Sequence, residues 1–332
     1  MKKLWILILG ISLIAGGCTA KTRNPSHEAD INNETNQEVK EPSQNEEKGP
    51  KEDEERIMVQ YNDLITEGKP YEIITFIDKK IAIVSEENGD KMLQGLEKVQ
   101  KRYQNEYTDS LIEDDLVRQN QLHKIFGYKF DQRKVENIGD EDLKALVVEI
   151  LKGGYQFITL EGSFYPIIDY GVLRKYTPYV SDEMRAYIKV VSKESDHLTW
   201  NGARMNISWN ELGNRALEAE RYLRKYPEGM MKNEIANLYM MYMDSFMNGS
   251  ENMPLLDPDT NQLNDKILNS YKDLIANNEG SITAEVIHEY LAVIEKNNFK
   301  IDETIMELSN NMHQKIIQKL NLGNGSTDYH AQ

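Results

Sequence analysis

Residues 208–247 read SWNELGNRALEAERYLRKYPEGMMKNEIANLYMMYMDSFM, and their pattern decides the fold. Ser208 followed three positions later by Glu211 is a capping-box pattern that opens a helix. Leu212, Ala216, Ala219 and Leu223 then recur at helical spacing until Pro227, which cannot continue the run. From about Met231 to Met247 a second run places Ile235, Leu238, Tyr239, Tyr242 and Phe246 on one face. Two amphipathic helices with a short break between them must bury their apolar faces against further helices.

Working outward, the same period recurs. Asp140 is positioned to cap a helix to about Lys152, with Leu143, Leu146, Val147 and Ile150 on one face and Gly153-Gly154 ending it. Helical spacing also predicts elements over 54–67, 90–107, 182–194, 262–277, 283–297 and 303–320. The run 71–84 (YEIITFIDKKIAIV) reads either as a strand, from its β-branched residues, or as a buried helix, from its length and flanks. Tyr155–Leu160 alternates after a double glycine and is extended at most. The expectation is an all-α, irregular domain of about eight to ten helices over 54–322, followed by a flexible tail at 323–332. The scarcity of βαβ patterns argues against a two-lobed solute-capturing protein.

The N-terminus has a different character. Lys2 and Lys3 precede an uncharged apolar run from Leu4 to Gly17, too short for the roughly 20 residues of a spanning helix. It ends Ala15-Gly16-Gly17-Cys18. Residues 18–53 carry only Ile31 and Val39 as large aliphatics among many Asn, Glu, Lys and Pro, the composition of a disordered acidic tether. Cys18 is the only cysteine in 332 residues, so the chain forms no internal disulfide.

This N-terminal stretch resembles the lipobox of bacterial lipoproteins. The resemblance implies a signal peptide over 1–17, diacylglyceryl attachment and further acylation at Cys18, and a domain on the extracytoplasmic side of the cell membrane. Two acyl chains anchor stably where one anchors marginally. The 208–247 pair resembles a tetratricopeptide-type hairpin in Ala216, Ala219 and Tyr222, the Tyr226-Pro227 break, and Tyr239 and Tyr242. No second copy recurs at the family's period of about 34 residues. That resemblance implies a protein partner.

Charge narrows the partners. The chain carries −16, and loss of Lys2 and Lys3 with the signal leaves 37 basic against 55 acidic residues, or −18. Nucleic acid and electrostatic docking on anionic lipid both require a basic surface and are excluded. The most unusual exported segment is 155–187, which holds six of the eighteen tyrosines around Gly162 and Pro166. Within it Glu161, Tyr165, Asp169, Tyr170 and Tyr176 are the candidate ligand- or partner-binding residues. Tyrosine offers an apolar ring with a polar tip, and irregular segments on a rigid scaffold often carry function. Glu161 and Asp169 would also be a carboxylate pair of the glycosidase kind if they approached one another.

Other chemistry finds little support. Asp257-Pro258-Asp259-Thr260-Asn261 begins like a calcium loop, but Gln262 stands where glycine is needed and Leu268 where the bidentate glutamate belongs. The histidines are scattered without ligand spacing, and Ser163 lacks a G-x-S-x-G elbow. There is no Walker loop or dinucleotide fingerprint, so no metal or cofactor is expected. The sequence therefore reads as a membrane-anchored surface lipoprotein binding a protein, peptide or cell-wall component. The alternative is an extracytoplasmic enzyme acting on wall glycan or peptide through 155–187.

Overall fold

A computed structural model describes residues 50–112, 116–202, 204–250, 253–300 and 303–322. Cys18, the signal peptide expected over 1–17, the tether up to residue 49 and the tail at 323–332 lie outside them. The described chain is all-α, with eleven α-helices and two small two-stranded sheets.

Helix α1 (Pro50–Glu67) begins four residues inside the stretch assigned to the tether, because Pro50 suits a first helical position and acidic residues follow it. Residues 71–84 resolve as helix: α2 (Pro70–Lys80) carries Pro70 at its start and buries Ile73 and Ile77, and a 3₁₀ turn follows at Ile81–Ile83. Helix α3 (Glu86–Ile112) is the longest among the described residues; α4 (Val117–Phe126) packs beside its C-terminal half, and α5 (Glu141–Lys152) packs against α2 and meets α3 where the Tyr107 hydroxyl donates to Glu149. Asp140 accepts from the Leu143 amide at the start of α5 at 3.0 Å, the cap its position predicts.

The extended segment finds a partner strand. β1 (Tyr155–Leu160) pairs antiparallel with β2 (Ser163–Ile168) across a two-residue turn. Glu161 (φ 48°) and Gly162 (φ 84°) both occupy the left-handed region, as a type I′ turn requires. Pro166 costs no ladder bond. The Phe164 amide, two residues earlier on the same strand edge, points outward to Gln119 Oε1 at 2.8 Å, so position 166 also faces away from β1.

A 3₁₀ stretch (Tyr170–Tyr179) leads into α6 (Asp182–Asp196), capped by Ser181. A second, minimal hairpin, β3 (Trp200–Asn201) and β4 (Arg204–Met205), precedes α7 (Trp209–Lys225). Helices α7 and α8 (Lys232–Asn248) make the most extensive helix–helix contact in the molecule. Ser208 caps α7 through the Glu211 amide at 3.1 Å. Helices α9 (Asp265–Asn277), α10 (Ile282–Lys296) and α11 (Glu303–Lys319) complete the chain.

Two apolar cores result. The smaller lies beneath the 155–168 hairpin and joins Phe126, Val147, Phe157 and Phe164. The larger runs from α1 through α6 to α11. Ala216, Ala219, Tyr222, Tyr239 and Tyr242, which carry the tetratricopeptide-like pattern, are all buried in this second core.

Candidate functional site

Helix α3 places Glu97, Lys101, Gln104 and Asn105 one to two turns apart along one face, and α8 does the same with Glu234, Asn237, Leu238 and Met241. Helix α6 contributes Tyr187, Val191, Glu194 and Ser195, and the end of β2 with Tyr170 closes one side. Two adjoining cavities of about 440 and 650 Å³ fill the groove so formed, and Lys101, Tyr170 and Glu194 line both.

Two of the groove's carboxylates, Glu97 and Glu194, are tightly held. Glu97 is buried, at 3 % exposure. Its Oε2 accepts the Tyr187 hydroxyl at 2.6 Å, and its Oε1 accepts the Tyr170 hydroxyl at 3.0 Å and lies 2.8 Å from Lys101 Nζ. Burial, with the Glu97 charge beside them, pushes both phenols well above the usual tyrosine range, so they remain donors. Glu194 accepts from the Thr199 amide at 3.0 Å, the Thr199 hydroxyl at 2.5 Å, the Tyr242 hydroxyl at 2.7 Å and Arg215 at 2.5 Å. Arg215 is itself buried, and Glu211 binds its Nε at 3.1 Å. Burial opposes its charge, but Glu194 and Glu211 more than offset this and its pKa moves upward.

The rest of the lining is less committed. Among the described residues, Glu234 has only Lys101 as a cationic neighbour, at 3.9 Å. The side-chain amides of Gln104, Asn105 and Asn237 make no hydrogen bond to any described residue. Among the described residues no group of three or more His, Cys, Asp or Glu side chains is placed to hold a metal ion.

Of the five residues singled out in 155–187, Tyr170 lines the groove and the other four line neither cavity. Glu161 is the exposed first residue of the hairpin turn. Asp169 caps the following 3₁₀ stretch through the Gly171 amide at 2.9 Å. They therefore sit at opposite ends of a six-residue strand, roughly 20 Å apart at about 3.4 Å per residue. Glycoside hydrolysis needs a pair within about 9.5 Å. Tyr165 is half-buried on β2. Tyr176 is buried and donates to Asp78 Oδ1 at 2.8 Å. Asp257 is spent on its own turn, accepting from the Asp259 and Thr260 amides at 3.0 Å each.

Sequence reading missed Glu97, Lys101, Glu194, Glu234 and Asn237. One signal was present: Glu97 and Lys101 are an i,i+4 pair on a helix whose neighbouring positions, Leu93, Leu96 and Gln100, are buried. A carboxylate interrupting a core-facing stripe marks a satisfied buried site. No family model, no curated protein and no solved structure matches this chain.

Proposed function

We propose that the chain is a lipid-anchored extracytoplasmic binding protein, held at the cell membrane through Cys18, whose α3–α6–α8 groove captures a partner without chemical turnover. The observation that carries this reading is the division of labour in the groove. Glu97 and Glu194, the carboxylates best placed for acid–base chemistry, are each held by several donors, whereas the amides of Gln104, Asn105 and Asn237 have no partner among the described residues. Free amides and a half-buried tyrosine bind; a general acid or base needs an exchangeable proton at the reacting atom. The apolar run ending at Cys18 supports the anchor. No helix among the described residues is long and apolar enough to cross a membrane.

The test is photo-crosslinking in intact cells from a photo-leucine placed at Leu238, an apolar lining position of the groove, with a second probe at Tyr128, which is 82 % exposed and lines neither cavity. A discrete adduct at position 238 and none at 128 is the expected outcome. Equal yields from the two positions, or release of product from wall fragments by the purified chain, overturn the reading.

A further inference from the structure

We propose that the groove takes an extended peptide segment bearing one basic side chain. This rests on the binding reading above and names the chemistry of its ligand.

The charge balance sets the class. Lys101 answers Glu97 at 2.8 Å, and Arg215 answers Glu194 from behind. Among the described residues Glu234 is left with Lys101 alone, at 3.9 Å, and its side chain is 31 % exposed where that of Glu97 is 4 %. One carboxylate thus faces the groove without a close counter-ion, on a chain whose overall charge is −16. An incoming ammonium or guanidinium completes it, and the acidic surface favours the approach of such a ligand.

The amides set the shape. An Asn or Gln side chain presents donor and acceptor together, which matches a peptide main chain. Asn237 stands one turn beyond Glu234 on α8, and Gln104 and Asn105 stand on α3 across the groove. From Glu97 to Asn105 the α3 face runs about 12 Å at 1.5 Å per residue. At about 3.4 Å per residue that length takes three to four extended residues. Leu238, Met241 and Val191 supply apolar contact for the neighbouring side chains.

A glycan fits less well. Sugar binding uses an uncovered aromatic face. Tyr170 and Tyr187 instead pack against each other in a T, with centroids 6.4 Å apart at 87°, and both hydroxyls are committed to Glu97, which leaves neither to a sugar hydroxyl.

The experiment passes three labelled hexapeptide libraries over the immobilised full chain in detergent micelles. The libraries are randomised except for a fixed central Lys, norleucine or Glu. The lysine library is expected to be retained roughly 10-fold better than the other two, as for a close ligand charge pair. Glu234→Gln should remove that preference, and Asn237→Leu should lower retention of every library. Equal retention of the lysine and norleucine libraries, or a lysine preference that survives Glu234→Gln, overturns the cation assignment; the binding groove still stands if Asn237→Leu lowers retention. No retention of any library above that of an Asn237→Leu, Glu234→Gln double variant overturns the peptide assignment, and the crosslinking result then decides separately whether the groove binds at all.

Discussion

Replacing Tyr187 with Phe removes one hydroxyl and tests whether the groove's central carboxylate belongs to the architecture. Tyr187 is 1 % exposed, and its hydroxyl donates a 2.6 Å bond to Glu97 Oε2, with the Tyr170 hydroxyl beside it. The ring volume is kept, so no cavity cost of the large-to-small kind arises. What is lost is a buried hydrogen bond to a charged acceptor, worth about 1.5–3 kcal/mol. Glu97 Oε1 keeps Tyr170 and Lys101, so the loss falls on Oε2 alone. For a domain of this size each kcal/mol moves Tm by about 2–4 °C, so Tyr187→Phe should melt about 3–12 °C lower. Equilibrium urea unfolding of the full chain, followed by circular dichroism, measures the loss directly. A cycle with Glu97→Gln should show the two changes coupled by about 1–2 kcal/mol, as expected for side chains in contact. A loss below about 0.5 kcal/mol, the level of an ordinary surface change, would refute the reasoning. It would mean that water in the groove replaces the phenol, and that Glu97 is available to a ligand.

Glu161→Asn gives the I′ turn its preferred Asn-Gly pair, so it should stabilise by up to about 1 kcal/mol and leave partner crosslinking at position 238 intact; a loss of crosslinking would return Glu161 to the site. Cys18→Ala should free the chain from the membrane fraction or leave its signal uncut, and normal processing with normal anchoring counts against lipidation. Acid should destabilise the domain in a definite window. Lys319 and Lys315 hold the Glu285 carboxyl below its usual range, Arg133 does so for Asp131, and the Leu143 amide does so for Asp140. A depressed folded pKa contributes stability that is complete above the unfolded value of about 4 and is lost as pH falls below it. Tm should therefore hold steady from pH 7 to 5 and drop by pH 3, more shallowly in Glu285→Gln; an unchanged slope in that variant removes Glu285 from the account.

The helices were legible wherever the apolar period was strong and the cap was local. Ser208, Asp140 and Ser181 each bind an amide three residues on, which is information contained within four consecutive positions. Helix α4 was not legible, because it starts from Leu116 at φ 65° with no side-chain cap and a weak apolar period. Strand β2 was hidden by Pro166, whose missing N–H ordinarily argues against a strand. Its tolerance depends on which edge of a two-stranded ladder it faces, and that is set by the register with β1.

The tyrosines show why composition pointed at the correct neighbourhood but at a different set of atoms. Across the molecule, buried tyrosine hydroxyls are repeatedly spent on carboxylates from distant elements: Tyr107 on Glu149, Tyr176 on Asp78, Tyr222 on Glu183, Tyr242 on Glu194, and Tyr170 and Tyr187 together on Glu97. Each partner is between 39 and 98 residues away in sequence, so no local pattern could announce the pair. An acidic chain that buries part of its charge must satisfy it there. Tyrosine does so without adding a counter-charge, because burial keeps its proton in place. The consequence for the groove is physical. With Glu97 paired to Lys101 and Glu194 to Arg215, the ligand-facing electrostatics reduce to Glu234, one carboxylate in the first turn of α8. That is why a single substitution there can separate cation recognition from binding itself.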